Sequence, residues 1–181
     1  MTEKVIATNE TIRDLVRETI EKYGPDCDMN FIDVSQVTDM SWLFDSSTFT
    51  GNISSWDVSK VKDMSYMFAH SAFNGDIGGW NVSNVTNMTC MFHDSKFNGD
   101  ISRWDVGKVA NMYAMFDSSQ FNGDLSEWKV GRATELSQMF KNSPFNGDIG
   151  KWKVRTTANM FFMFEGTPLE RECRLPQWYK G

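Results

Sequence analysis

The stretch Phe73-Asn74-Gly75-Asp76-Ile77-Gly78-Gly79-Trp80-Asn81-Val82-Ser83-Asn84-Val85-Thr86-Asn87-Met88-Thr89-Cys90-Met91-Phe92 returns 24 residues away in either direction with its apolar positions kept. Trp stands at Trp56, Trp80, Trp104, Trp128 and Trp152, and Phe at Phe49, Phe73, Phe97, Phe121 and Phe145. A second Phe column runs from Phe44 through Phe68, Phe92, Phe116 and Phe140 to Phe164. Met40, Met64, Met88, Met112, Leu136 and Met160 form another. A fixed period marks a repeat protein, in which one unit buries its apolar face only against its neighbours.

Within the unit, Trp80 and Val82 alternate with Gly79, Asn81 and Ser83, the pattern of a short strand with one buried face. Met88, Met91 and Phe92 fall at i, i+3 and i+4, one face of a helical or 3₁₀ turn, and Asn87 before them suits a helix N-cap. The Asn74-Gly75 step, repeated at Asn98-Gly99, Asn122-Gly123 and Asn146-Gly147, suits a tight turn with a left-handed position. These readings predict an α/β repeat solenoid. It would be a right-handed coil of about six units, with one parallel sheet of short strands and short helical turns opposite.

The ends of such a stack require covers. Ile12, Leu15, Val16 and Ile20 predict a helix over Thr11 to Tyr23, stopped by Gly24-Pro25. The expected division is an N-terminal helical cap at 1–28, repeats at 29–168 and a C-terminal cap at 169–181, one domain overall. Where the pattern degrades, with Pro176 in the Trp column, Trp178 and Tyr179 are expected to fold back over the last unit.

The columns Phe-Asn-Gly-Asp-Ile-x-x-Trp-x-Val-x-x-Val-x-x-Met-x-x-Met-Phe, entered through Met29 to Met40, resemble the BspA-like leucine-rich-repeat surface proteins of bacteria, over roughly Met29 to Pro168. The resemblance implies a leucine-rich-repeat-like solenoid used for adhesion or other protein binding, with no enzymatic activity.

Composition narrows the function. The chain of 181 residues holds 12 Met, 14 Phe and 7 Trp, most of which the columns absorb. The net charge of −6 argues against nucleic-acid binding, which needs a basic face. It is unevenly placed: residues 1–102 carry 7 Lys and Arg against 15 Asp and Glu, a net of −8, and residues 103–181 carry 11 against 9, a net of +2. No apolar run reaches the roughly 18 residues of a membrane span. The N-terminus shows no secretory pattern, so the expected location is cytoplasmic if Met1 is the natural start, with a surface or secreted protein as the alternative. Cys27, Cys90 and Cys173 are too few and too scattered for a disulfide framework or zinc site. They are expected as reduced thiols in or near the core.

No catalytic constellation emerges. The Ser or Thr column Ser47, Ser71, Ser95, Ser119, Ser143 and Thr167 has only His70 and His93 to share as bases, and is expected to satisfy backbone groups instead. The Asp76, Asp100, Asp124 and Asp148 column lacks the glycine-dense context of a calcium-binding roll, so neither metal nor cofactor is expected. Candidate partner-binding residues are those alternating with the buried Trp and Val, which differ from unit to unit: Asp33, Asp57, Asn81, Arg103, Asp105, Glu127, Lys129, Lys151, Lys153 and Arg155. Their order from acidic to basic predicts a protein partner of mixed or opposite polarity, held by a monomer. A cytosolic inhibitor of the immunity-protein kind and a surface adhesin are the two settings expected for such a module. A second candidate patch gathers Trp42, Tyr66, Phe161 and Phe162, where aromatics replace smaller residues.

Overall fold

The computed structural model describes residues 4–180. The expectations resting on Met1, and the outermost residues of both caps (1–3 and 181), lie outside the described residues. The elements run β1 (Val5–Ile6), α1 (Ile12–Tyr23), β2 (Ile32–Asp33) and α2 (Pro168–Arg171). α1 forms where apolar spacing places it, burying Ile12 and Val16 to 0% and 2% exposure, and ends at Gly24 with φ +90°, a conformation that costs glycine little. Its entry is tied to the first repeat: Asn9 Oδ1 accepts from the N–H groups of Thr38 and Asp39, and Arg13 donates to the Ser41 carbonyl at 2.7 Å. Thr167 caps α2 by accepting from Glu170 N–H, with Pro168 in the first turn.

The α/β solenoid expected from the sequence, leucine-rich-repeat-like with a parallel sheet and opposing helical turns, does not form. Among the described residues there are only two strands of two residues each and two helices, and β1 with β2 makes the only sheet. That pairing is parallel, Val5 opposite Ile32 and Ile6 opposite Asp33. No sheet crosses the Trp-x-Val segments, because the backbone turns there within each unit. Trp80 N–H donates to the Ile77 carbonyl at 3.1 Å and Val85 N–H to the Val82 carbonyl at 2.9 Å. Only Asn81 lies between those turns, Trp80 ending one and Val82 beginning the next. The alternation of buried and exposed residues is present, but it belongs to a corner.

The segment expected to be helical is not helical. Cys90, between Met88 and Met91, has φ +52°, and Asp94 has φ +47°, values a right-handed helix excludes. Asn87 closes an Asx turn, its Oδ1 accepting from Thr89 N–H at 3.1 Å and Thr89 Oγ1 at 2.7 Å. Consecutive units are joined here. Isolated parallel bridges link Asp39 to Asp63, Asp63 to Asn87, Asn87 to Asn111, Asn111 to Glu135 and Glu135 to Asn159. The N–H groups of Met64, Tyr66, Phe68 and His70 donate to the carbonyls of Asn87, Thr89, Met91 and His93 at 2.8–3.0 Å. The inter-repeat hydrogen bonds thus run through successive turns and not through strands.

The left-handed positions also differ from expectation. They fall at Trp42, Tyr66, Cys90, Ala114, Gln138 and Phe162, and at Ser46, His70, Asp94, Ser118 and Asn142, with Gly166 ending the second series. The glycines of the Asn-Gly steps do not adopt positive φ. Gly75 is glycine because a Cβ there would lie 2.8 Å from the Phe73 ring, and the preceding asparagines join units: Asn98 N–H donates to Asn74 Oδ1, and Asn122 N–H to Asn98 Oδ1, at 2.8 Å.

The apolar columns fill the interior. Phe68 and Phe92 stack at 5.7 Å, Phe73 and Phe97 at 6.3 Å, and the five repeated Trp residues are 3–4% exposed. Each indole N–H finds a carbonyl 27 residues earlier, as Trp80 Nε1 does on Ile53 at 3.2 Å. Trp178 continues the series beyond the missing Trp, donating to Ile149 and stacking on Trp152 at 6.1 Å. Ser71, Ser95, Ser119 and Ser143 are buried at 3% and Thr167 fully, while Ser47 is only partly buried; Ser119, Ser143 and Thr167 donate to carbonyls three residues back.

Candidate functional site

The corners that carry Trp-x-Val present their intervening side chains to solvent. Asp57, Asn81, Asp105, Lys129 and Lys153 are exposed and Asp33 partly so, as are Arg103, Glu127, Lys151 and Arg155 beside them, all exposed. Four of these meet in one shallow groove of about 660 Å³, lined by Ser102, Arg103, Trp104, Asp105, Asp124, Glu127 and Lys129. Asp33 and Asp57 lie toward the N-terminal end and Lys151, Lys153 and Arg155 toward the other, outside that groove.

The Asp and Asn members have work within their own turns. Asp33, Asp57, Asn81 and Asp105 each accept, through Oδ1, the N–H of the residue two positions on: Ser35, Ser59, Ser83 and Gly107, at 3.0, 3.0, 3.2 and 3.0 Å. Bonding to the charged form lowers a carboxyl pKa. The Ser35 N–H and hydroxyl hold Asp33 below the usual carboxylate range, and the Ser59 hydroxyl and N–H do so for Asp57. A value lowered on folding contributes stability above the unfolded pKa, about 4, and that contribution is lost as pH falls through the lowered value. Asp57→Asn keeps the acceptor, as Asn81 does, and removes the titration. Thermal melts of that variant are expected to lie slightly below those of the parent near neutrality and to converge with them as pH falls through the lowered value, so that the variant's dependence on acid is the flatter.

The Asp76, Asp100, Asp124 and Asp148 column does the same one corner earlier, accepting from Gly78, Ser102, Ser126 and Gly150. Among the described residues no group of three or more His, Cys, Asp and Glu is placed to hold a metal ion.

The aromatic patch is split between the two ends. Trp42 is 52% exposed and stacks on Tyr66 at 3.8 Å and 5°, while Phe161 and Phe162 are 68% and 58% exposed at the last unit. A hydrogen bond with Cys90, together with burial, pushes Tyr66 up to about 12. Cys90 is buried and Cys27 partly so, whereas Cys173 is exposed, contrary to the expectation that all three sit in or near the core.

The sequence reading misses a column in which a basic side chain approaches an acidic one in the next unit. His93 and Asp117 approach to 3.5 Å, and Lys141 and Glu165 to 3.4 Å, each pair one period apart; His70 and Asp94 do so at 3.3 Å in the next column. The 24-residue offset that marks the core also marks these pairs when it is applied to His, Lys, Asp and Glu. Arg132, also exposed, lies one position outside the alternation that marks the others.

The molecule is thus a tandem-repeat protein with an exposed, turn-built surface of variable charge. Residues 17–117 and 93–178 match the family described as Mycoplasma protein of unknown function, DUF285, and the chain belongs to that family. No curated protein and no solved structure matches it. Among the described residues no helix is long and apolar enough to cross a membrane.

Proposed function

We propose that this chain is a non-enzymatic protein-binding module that holds its partner on the corners carrying Trp-x-Val. The observation behind this reading is the groove in which Arg103, Asp105, Glu127 and Lys129, drawn from neighbouring units, present both charge signs to solvent. The repeated residues are taken up by core and turns, while these vary between units, and repeat arrays use such extended surfaces for recognition. The resemblance to BspA-like surface proteins supports adhesion as the setting. A photo-crosslinking residue placed at Arg103 in the producing cell is expected to capture a discrete protein, and one at Gln120, outside the groove, is not. Equal capture from both positions, or none from Arg103, defeats the reading.

A further inference from the structure

Two neighbouring units give up a turn-closing hydrogen bond to carry cations. In four earlier corners the residue after Trp, or its equivalent, is Asp33, Asp57, Asn81 or Asp105, and each bonds the backbone two positions on. At Lys129 and Lys153 the side chain has no acceptor atom, and the N–H groups of Gly131 and Arg155 have no partner among the described residues. General decay of the repeat does not explain this. In the same two units Asp124 and Asp148 still close the preceding turn, accepting from Ser126 and Gly150 at 2.8 and 2.9 Å.

The lysines do not replace the lost bond with another. Lys129, Arg132, Lys151, Lys153 and Arg155 are all exposed, and among the described residues none forms an ion pair. Elsewhere on the molecule Arg13, Arg17, Lys141 and Arg174 each lie against a carboxylate, whereas Lys62, Lys96 and Arg103 form no ion pair either among the described residues. Lys60 and Lys108 reach back to Gln36 and Asn84 one unit earlier, at 2.9 and 2.6 Å. Arg132 follows Lys108 in that series, so its neighbour is another cation. Five cations without an ion pair thus fall on two neighbouring units of a chain whose net charge is −6.

We propose that Lys129, Arg132, Lys151, Lys153 and Arg155 form the docking surface for an acidic segment of a protein partner. This rests on the protein-binding reading and adds the partner's chemistry. The cluster occupies two neighbouring units, whose equivalent positions lie about 5 Å apart at the spacing of paired chains, which suits a few extended residues and is short for a track of phosphates. Glu127 lies within it, and Asp124 and Asp105 line the adjoining groove, so a continuous polyanion would meet repulsion that a short acidic segment of mixed composition avoids.

The test uses the full chain and a fluorescein-labelled peptide of alternating Glu and Ser, with its Gln counterpart as control. The acidic peptide is expected to bind at least about tenfold more tightly than the Gln peptide at low salt. Lys129→Asp with Lys153→Asp restores the turn acceptor, so that double variant is expected to melt about 2–4 °C higher while losing the peptide at least about tenfold. Lys151→Glu with Lys153→Glu is expected to lose it as well and stay folded. Unchanged peptide affinity in the Asp variant overturns the proposal, as does a melting temperature that does not rise. Equal or tighter binding of single-stranded DNA, or of phosphatidylserine-containing vesicles, by the parent chain overturns it too. Capture from Arg103 with no peptide binding would remove the acidic partner and leave the protein-binding reading standing; failure of both removes both.

Discussion

Trp80→Ala is expected to destabilise the protein by about 3–5 kcal/mol, the cost of removing a large aromatic from a packed core. Trp80 is 4% exposed, its ring lies 6.4 Å from that of Phe68, and its indole N–H bonds the Ile53 carbonyl at 3.2 Å. Truncation removes apolar packing and also one of the side-chain ties between successive units. For a chain of this length the loss corresponds to a melting temperature lower by roughly 10 °C or more, which calorimetry would read. Trp80→Phe retains most of the ring and forfeits the indole bond, so about 1–2 kcal/mol is expected. Trp42→Ala supplies the contrast. That indole is half exposed and sits at φ +61°, and losing its stack on Tyr66 should cost about 1 kcal/mol. A Trp80→Ala loss no larger than that of Trp42→Ala would mean that the repeated Trp residues are not what joins the units.

What was legible in the sequence was burial, and what was not was conformation. Period and parity placed Trp80, Val82, Met88 and Phe92 inside and Asn81 outside, because apolar residues recurring at a fixed step record which side faces the core whatever the backbone does between them. Strand and helix were then inferred from spacings of two, three and four residues, and a chain of tight turns satisfies the same spacings. The deciding fact is the left-handed backbone at Trp42, Tyr66, Cys90, Ala114, Gln138 and Phe162. Nothing in those six identities announces it, since bulky residues rarely adopt positive φ. The strain is tolerated because alternate N–H groups in this segment find carbonyls in the next unit, as Phe68 does on Met91 at 2.9 Å. α1 is legible because its amphipathic spacing extends over three turns, too long for a row of turns to imitate. Of the candidate surface, the exposed residues were readable by parity. The Asx bonds that distinguish Asp33, Asp57 and Asp105 from Lys129 and Lys153 were not, because they depend on where the following N–H points.

The glycines supply the other large effect, and geometry divides them sharply. Gly51 is expected to tolerate no side chain. A Cβ there would lie 1.9 Å from the Cys27 carbonyl oxygen, 2.7 Å from the Phe49 ring and 2.9 Å from the Asp26 carbonyl carbon. Two of those three atoms are backbone, so relief requires moving the chain itself. The Cys27 carbonyl accepts from Asn52 N–H at 3.1 Å, and Asp28 bridges to Asn52. Displacing it therefore opens the joint between the segment after α1 and the first full unit. Gly51→Ala should cost about 3 kcal/mol, the upper part of the usual range for overpacking. Gly79, at the exposed corner before Trp80, meets no atom within 4 Å and has no positive φ. Gly79→Ala should then stabilise by about 0.4–1 kcal/mol through the unfolded chain's lost freedom. Opposite signs for the same substitution, measured by urea unfolding of the two variants, are the expected result. A destabilised Gly79→Ala, or a Gly51→Ala within about 0.5 kcal/mol of the parent, would show that the turns at these corners are not held by the contacts described.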